Sequence, residues 1–329
     1  MRVRLSLIVL VIFFVLPLVW AEDDASFFAF TLKQLPEELW KEYRDLNEKE
    51  NWYAEYRDSD QMLAVKLVQL VYINKSRARY KAPPVRLDIL ASRVANRMCR
   101  EASENNFRGH WNMRGEKPYH RYAFAGGLDH VSENASSRWS SAPFEKTLSN
   151  YVIFMAKGHD QFMAEQAPND GHKRNCIDKE HNYVGLGAYI HNNQFRYYEE
   201  FIDRHLEFVS VKTAAQVGES FSIKVKPLRR DQFVYALIAY FEDFPRPMTP
   251  AQINGKGSYP DFTSNQAVSL WPWQLKQDPE SGIVEIALKF SKRGLYYTQI
   301  YLSDQPYKGG SASTRGKIQG SGLVIRVGE

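Results

Sequence analysis

The spacing of apolar residues changes from a helical period to a strand period along this chain. In the first hundred residues, positions such as Leu63 and Leu67 recur three or four residues apart, which predicts helices with one buried face. After residue 207, residues such as Ile223 and Val225 alternate with polar ones, which predicts strands with one buried face. The chain is therefore predicted to form a mixed α/β unit followed by an all-β unit.

Helices and a hairpin are predicted in the first unit. Pro83-Pro84 ends one helical pattern, because proline removes a backbone donor and clashes with the preceding turn. Asn192-Asn193 separates two strand-like segments and predicts a hairpin turn. The helices are predicted over residues 62–80, 87–98 and 144–164, and the strands over residues 183–191 and 194–203.

The N-terminus has the pattern of a secretory signal peptide. Arg2 and Arg4 precede an apolar run over residues 5–19, and Ala21 offers a cleavage site. The rival interpretation is an uncleaved membrane anchor, although the run is short for a spanning helix. The abrupt change to acidic residues 22–24 favours cleavage. We expect a secreted or extracytoplasmic protein, which contacts a membrane only if this segment is uncleaved.

The net charge gives no indication of a nucleic-acid partner. The whole chain carries a formal charge of +5, and cleavage after Ala21 removes Arg2 and Arg4, which leaves +3. A protein that neutralises many phosphates needs a larger excess of basic residues. We therefore expect no nucleic acid among the partners.

The chain contains two cysteines, Cys99 and Cys176. In an exported protein an even pair predicts one disulfide, and closing a loop of this length would stabilise the fold by roughly 4 kcal/mol. The alternative is two buried thiols. The bridge is favoured here because it would tie the loop around Cys176 to the predicted helix that carries Cys99.

Chemistry-bearing residues are concentrated between Phe107 and Ile190. Six of the eight histidines lie there, among glutamates, glycines and aromatic residues. Imidazole and carboxylate groups serve both metal binding and acid–base work. Several short motifs follow in order: His110, Arg121, Gly126-Gly127, Ser132-Glu133-Asn134-Ala135, Asp170-Gly171-His172-Lys173-Arg174-Asn175 and Tyr183-Val184-Gly185-Leu186-Gly187.

This order of motifs resembles the CAP superfamily of cysteine-rich secretory, antigen-five and pathogenesis-related proteins. The resemblance extends over residues 60–203 and implies a three-layer α/β/α sandwich, the SCP domain. An all-β sandwich, immunoglobulin-like in size but without an assigned family, is expected to follow. The predicted divisions are a signal peptide (1–21), an N-terminal extension (22–60), the CAP domain (61–207) and the β-sandwich (208–329).

The resemblance implies a cleft with two histidines and two acidic residues. His110 matches the first histidine, Glu133 matches the glutamate of E-N-[IL]-A, and His172 matches the histidine of G-H-[RK]. Glu165 matches the acid of W-[YF]-x-E, with Phe162 in place of tryptophan, although many bacterial-type members lack this acid. His110 and Glu133 are expected on loops. The other histidines of interest are predicted to be surface or capping residues: His120, His130, His159, His181 and His191.

Two imidazoles and one or two carboxylates suit Zn²⁺ or another divalent cation. The predicted metal ligands are His110, Glu133 and His172. The alternative is that these groups hydrogen-bond one another and hold the loops over the cleft.

We expect a binding module for a metal ion, a small apolar or lipid ligand, or a protein partner, with the sandwich as a second contact surface. The competing function is a metal-assisted hydrolase of peptide or ester bonds, for which no catalytic residue is assigned because H-E-x-x-H and G-x-S-x-G are absent.

Overall fold

The computed structural model describes Lys33 and residues 35–259 and 265–329. The predicted signal peptide lies outside these residues, as does part of the predicted N-terminal extension. In the part of the chain that is described, no helix combines the length and the apolar character needed to cross a membrane.

The predicted helices are confirmed, with small shifts at their ends. Ser59, Asp88 and Thr147 each cap a helix by accepting a hydrogen bond from a backbone N–H of its first turn. The helices are α1 (Glu37–Lys49), α2 (Asp60–Arg79), α3 (Ile89–Glu104), α4 (Pro118–Phe124), α5 (Leu148–Ala164), α6 (Gly171–Ile177) and α7 (Pro250–Asn254).

A four-stranded sheet forms the centre of the first unit. Its strands are β1 (Arg86–Leu87), β2 (His130–Trp139), β3 (Tyr183–His191) and β4 (Gln194–Asp203), in the order β1-β3-β4-β2. The predicted hairpin is confirmed as β3 and β4, and Asn192 in its turn adopts the left-handed region that asparagine tolerates. Glu133 lies on β2 and not on a loop, so that part of the prediction is wrong.

Helices cover both faces of this sheet. Along β4, Tyr197 and Glu199 point to the side of α2 and α5, where Tyr197 accepts a hydrogen bond from Gln69. Tyr198, one residue on from Tyr197, belongs instead to the cluster that contains Met98 of α3. Successive side chains of a strand alternate between its faces, so β4 contributes to two separate cores.

The predicted disulfide is wrong, because Cys99 and Cys176 are both buried free thiols. Cys99 is a residue of α3 and belongs to the apolar cluster that contains Tyr198. Cys176 is a residue of α6 and belongs to the cluster that contains Tyr197, on the other face of the sheet. The sheet therefore lies between the two sulfur atoms. A disulfide requires Cα atoms within about 7 Å of each other, which opposite faces of a covered sheet do not allow.

The second unit is a β-sandwich with one short helix. Its strands are β5 (Leu206–Ser210), β6 (Ala214–Gln216), β7 (Ser220–Pro227), β8 (Phe233–Glu242), β9 (Gln266–Leu270), β10 (Val284–Lys289), β11 (Gly294–Ser303), β12 (Ile318–Gln319) and β13 (Leu323–Gly328). One sheet has the order β10-β7-β5, and the other has the order β6-β13-β11-β8-β9 with β12 beside β11. Residues such as Ile223 and Leu237 pack in one core between them. The immunoglobulin-like label and the boundary at residue 207 stay predictions.

The larger sheet of the sandwich also packs against the first unit. Tyr297 of β11 stacks on Tyr119 of α4 with ring centroids 4.1 Å apart. The same apolar cluster includes Val94 of α3 and Ile238 of β8. Both faces of this sheet are therefore buried, one in the sandwich core and the other against α3 and α4.

Candidate functional site

The four residues predicted from the CAP resemblance line one cavity of about 920 Å³. His110, Glu133, Glu165 and His172 come from the first unit. The second unit contributes Ser258 and Tyr259 and the segment 317–319, so both units form the walls. Nearly every lining side chain carries a polar or charged group.

His110 and Glu133 form the first pair in the cavity. The His110 Nδ1 atom lies 2.7 Å from Glu133 Oε1, and the His110 ring packs against Tyr259. The second carboxylate oxygen of Glu133 accepts a hydrogen bond from Arg121. Burial raises the pKa of Glu133 to about 7, although the positive charge of Arg121 opposes this shift.

Glu200 shares Arg121 with Glu133. One guanidinium nitrogen of Arg121 lies 3.4 Å from Glu200 Oε1. Burial and the neighbouring Glu133 raise the pKa of Glu200 well above its ordinary value. Two buried carboxyl groups thus compete for one arginine, which favours retention of a proton by the pair. The backbone of His110 is held by the same arginine, whose Nη1 donates to the His110 carbonyl.

His172 and Glu165 form the second pair. The His172 Nδ1 atom lies 2.5 Å from Glu165 Oε1, and the backbone N–H of His172 donates to Glu165 Oε2 at 2.9 Å. The His172 ring stacks on Phe162, the residue that stands in place of the expected tryptophan. This pair is more open to solvent than the first, with 36% of the His172 side chain exposed.

The chemistry of the two pairs fits a divalent cation. Histidines that bind metals commonly donate one ring N–H to a carboxylate and bind the ion with the other nitrogen. Here both Nδ1 atoms face carboxylates, so Nε2 is the ring atom through which each histidine would bind an ion. The four residues do not, however, bring three ligand atoms within 4.8 Å of one another; among the described residues only His159, Cys176 and Glu199 do so. Metal binding by His110, Glu133 and His172 stays a prediction.

A second histidine cluster, which the sequence analysis missed, lines the same cavity. His130 and His181 both place Nδ1 on the carboxylate of Asp203, at 2.9 and 2.5 Å. Both histidines are buried, so their prediction as surface or capping residues is wrong. Burial alone would raise the pKa of Asp203, but His181 and His130 hold it well below its ordinary value. Their proximity follows from the register that pairs His130 with Asp203 across β2 and β4.

His159 is a third wrong surface prediction, since it is fully buried. Its Nδ1 lies 2.8 Å from Glu199 Oε1, beneath the floor of the cavity and beside Cys176. The only sequence signal for this cluster is that the buried strand β4 carries acidic residues toward both of its faces.

Comparisons with known proteins find only weak structural similarity. No protein-family model matches the chain, and no curated protein matches it. One similar solved structure is an extracellular protein containing an SCP domain from Bacillus anthracis, with 17% identity and a TM-score of 0.33, matching 42% of this chain and only 40% of that protein. Another is an outer surface protein of Borrelia burgdorferi, with 17% identity and a TM-score of 0.33, matching 43% of this chain and 92% of that protein. Likeness of this size assigns neither a family nor an activity.

Proposed function

We propose that this chain is an exported CAP-type binding protein that holds a small polar ligand in the cavity between its two units. One observation carries the proposal: two His–Glu pairs, His110–Glu133 and His172–Glu165, line the same polar cavity of about 920 Å³. A cavity of this volume lies within the range of small-molecule sites, and its polar groups would orient the ligand.

The character of the walls favours a polar ligand over the lipid that the resemblance permits. Apart from the histidines, Tyr259 and Ile318 are the large apolar or aromatic residues in the described lining, which also contains charged side chains such as Arg174, Glu180 and Lys317. An apolar ligand would desolvate these charged groups without pairing them, which costs free energy. A ligand that itself carries charges or hydrogen-bonding groups would replace the lost water.

A divalent cation is part of this proposal. His110 and His172 would hold it through Nε2, with Glu133 and Glu165 fixing the ring orientations. When bound, such an ion would polarise an oxygen atom of the ligand. The second candidate function is a metal-assisted hydrolase, in which an ion held by the same two carboxylate-backed imidazoles would lower the pKa of a bound water.

Zinc titration of the chain that begins at Glu22 tests the proposal. His110→Ala and His172→Ala should each weaken one of the Zn²⁺-binding events in calorimetry, that of the cavity, at least about tenfold, because each removes an imidazole ligand. His191→Ala is the matched control, since this histidine lies on β3 outside the cavity lining and should leave binding unchanged. Wild-type affinity in both His110→Ala and His172→Ala would refute the metal part of the proposal. Ester or peptide hydrolysis that both substitutions abolish would replace the binding function with the hydrolase.

A further inference from the structure

Three potential metal ligands meet in the core beneath the cavity. His159 on α5, Cys176 on α6 and Glu199 on β4 each offer one ligand atom, and these atoms lie within 4.8 Å of one another. The His159 Nδ1 atom lies 2.8 Å from Glu199 Oε1 and 4.0 Å from Cys176 Sγ, and Cys176 Sγ lies 3.5 Å from Glu199 Oε2. All three side chains are buried.

We propose that His159, Cys176 and Glu199 form a buried site for a borderline transition-metal ion such as Zn²⁺. Tetrahedral coordination with Zn–S near 2.3 Å and Zn–N or Zn–O near 2.1 Å requires ligand atoms about 3.4 to 3.6 Å apart. Of the three observed separations, 3.5 Å lies in this range, 2.8 Å lies below it and 4.0 Å lies above it, so shifts of about half an ångström in side-chain position would accommodate the ion.

The charges of the three groups also suit a divalent ion. A Cys176 thiolate and a Glu199 carboxylate together carry two negative charges, so an M²⁺ ion would be buried without net charge. Without an ion, the thiol is neutral at physiological pH, because burial and the charge of Glu199 raise the pKa of Cys176 well above its ordinary value. Binding would release the thiol proton to solvent, as is usual for thiolate ligands.

The His159 ring directs one of its two nitrogens at the cluster. Its Nε2 atom is buried and has no hydrogen-bond partner among residues 35–259 and 265–329. A buried polar atom without a partner is uncommon in proteins. The ring is held by the hydrogen bond of its Nδ1 and by an edge-on contact with the Tyr72 ring, and Nδ1 is the atom that faces Glu199 and Cys176.

The ligand types select the class of metal. Thiolate and imidazole together favour Zn²⁺, Co²⁺ and related ions, whereas Mg²⁺ and Ca²⁺ prefer oxygen ligands. The surroundings of the cluster resemble the outer contacts of metal sites: Tyr197 donates to Glu199 at 2.7 Å, and the side-chain amide of Asn134 donates to Cys176 Sγ at 3.1 Å.

A metal in this cluster would stabilise the floor of the cavity. Cys176 and His172 lie one turn apart on α6, and the amide of Asn134 also donates to the His172 carbonyl at 3.2 Å. An ion bound to all three residues would link α6, through Cys176, to His159 on α5 and Glu199 on β4. This role is structural and does not depend on what the cavity binds.

Cobalt spectroscopy separates this site from the cavity above it. The chain from Glu22 is unfolded, reduced and refolded with Co²⁺, and the thiolate-to-Co²⁺ charge-transfer band in the near ultraviolet is measured. We expect this band in the wild type, in the double variant His110→Ala/His172→Ala and in Cys99→Ser, which removes the other buried thiol. Cys176→Ser should abolish the band, and His159→Ala should lower Co²⁺ affinity at least about tenfold.

A second measurement covers the case in which Cys176→Ser fails to fold. X-ray absorption of the zinc-loaded double variant His110→Ala/His172→Ala should show one sulfur atom near 2.3 Å from the ion, with nitrogen and oxygen at shorter distances. Absence of the cobalt band in the refolded wild type, an undiminished band in folded Cys176→Ser, or a zinc shell without sulfur would each overturn the proposal. None of these results bears on ligand binding in the cavity, which the His110 and His172 variants test separately.

Discussion

Glu242 is a buried carboxylate at the contact between the two units. It accepts hydrogen bonds from Tyr119 at 2.5 Å and from Lys117 at 3.0 Å, and His120 Nε2 lies 3.3 Å away. Burial alone would raise the pKa of Glu242, but His120, Lys117 and Tyr119 lower it to about 2. The native state therefore prefers the ionised carboxylate more strongly than the unfolded chain does.

The lowered pKa of Glu242 predicts a pH dependence of stability. Its contribution is fully present above the unfolded-state pKa, about 4.5, and is lost as the pH falls toward 2. Glu242→Gln should reduce the free energy of unfolding by about 3 kcal/mol at pH 7, and this difference from the wild type should shrink between pH 4.5 and 2. Urea unfolding at several pH values measures it. The exposed control Glu280→Gln should change little, and a difference that does not vary with pH would contradict the prediction.

The residues of the site were predictable where a short local motif carries them. His110, Glu133 and His172 stand in motifs of a few residues, and the structure places them on one cavity. The cluster of His130, His181 and Asp203 was not predictable in this way, because it depends on the pairing of β2 with β4 between residues about seventy positions apart. Likewise, counting cysteines cannot tell on which face of a sheet each one lies, so the disulfide prediction was wrong.

At the scale of the elements, the close approach of α3 to β3 explains the glycines of the motif Val184-Gly185-Leu186-Gly187. A Cβ atom on Gly187 would lie 2.3 Å from the backbone carbonyl carbon of Ala95 on α3. A Cβ atom on Gly185 would lie 2.4 Å from the Cβ atom of Ala91, one helical turn before Ala95. Real Cβ atoms do not approach so closely, so the helix packs on the strand only where β3 has no side chain. The motif that carries the family resemblance therefore has a packing reason in this chain.

Substitution of Gly187 tests this packing. Gly187→Ala should lower the free energy of unfolding by about 1 to 3 kcal/mol, because the added methyl group must push α3 away from β3. Thermal or urea unfolding gives the value. Gly328→Ala is the control, since Gly328 is likewise a strand residue, at the end of β13, and a Cβ there would meet no atom within 4 Å. Equal stability of the two variants would show that α3 can shift freely on the sheet.

The periodicity of the sequence predicted the longer helices and several strands, and its failure at β2 has a physical cause. The hairpin over residues 183–203 and the alternating strands after residue 207 were predicted because their patterns are local. Strand β2 was missed because its apolar and polar residues do not alternate cleanly: Glu133 and Asn134 are both buried, on opposite faces. Burial of polar residues at a site removes the alternation on which strand prediction relies.

For the whole molecule, the contact between the two units determines whether they unfold together or separately. Only Arg204 and His205 separate β4 from β5. Arg204 forms ion pairs with Asp88 at 2.6 Å and with Asp129 at 2.9 Å. Backbone hydrogen bonds also cross between the units, from Met248 to Met113 and from Gly322 to Leu128. The apolar face of the β8–β11–β13 sheet would be exposed if the units separated.

We therefore predict that the two units unfold together. Tyr297→Ala removes a fully buried ring that stacks on Tyr119 across the contact, and it should cost about 3 to 5 kcal/mol. Hydrogen exchange read by mass spectrometry should show that protection falls by the same factor in the β3–β4 hairpin and in β8–β11, because one cooperative unit opens as a whole. The half-buried Tyr307, changed to alanine, is the control and should have a smaller effect on both regions. Loss of protection confined to β8–β11, with β3–β4 unchanged, would show instead that the chain divides near residue 207 into independently stable domains.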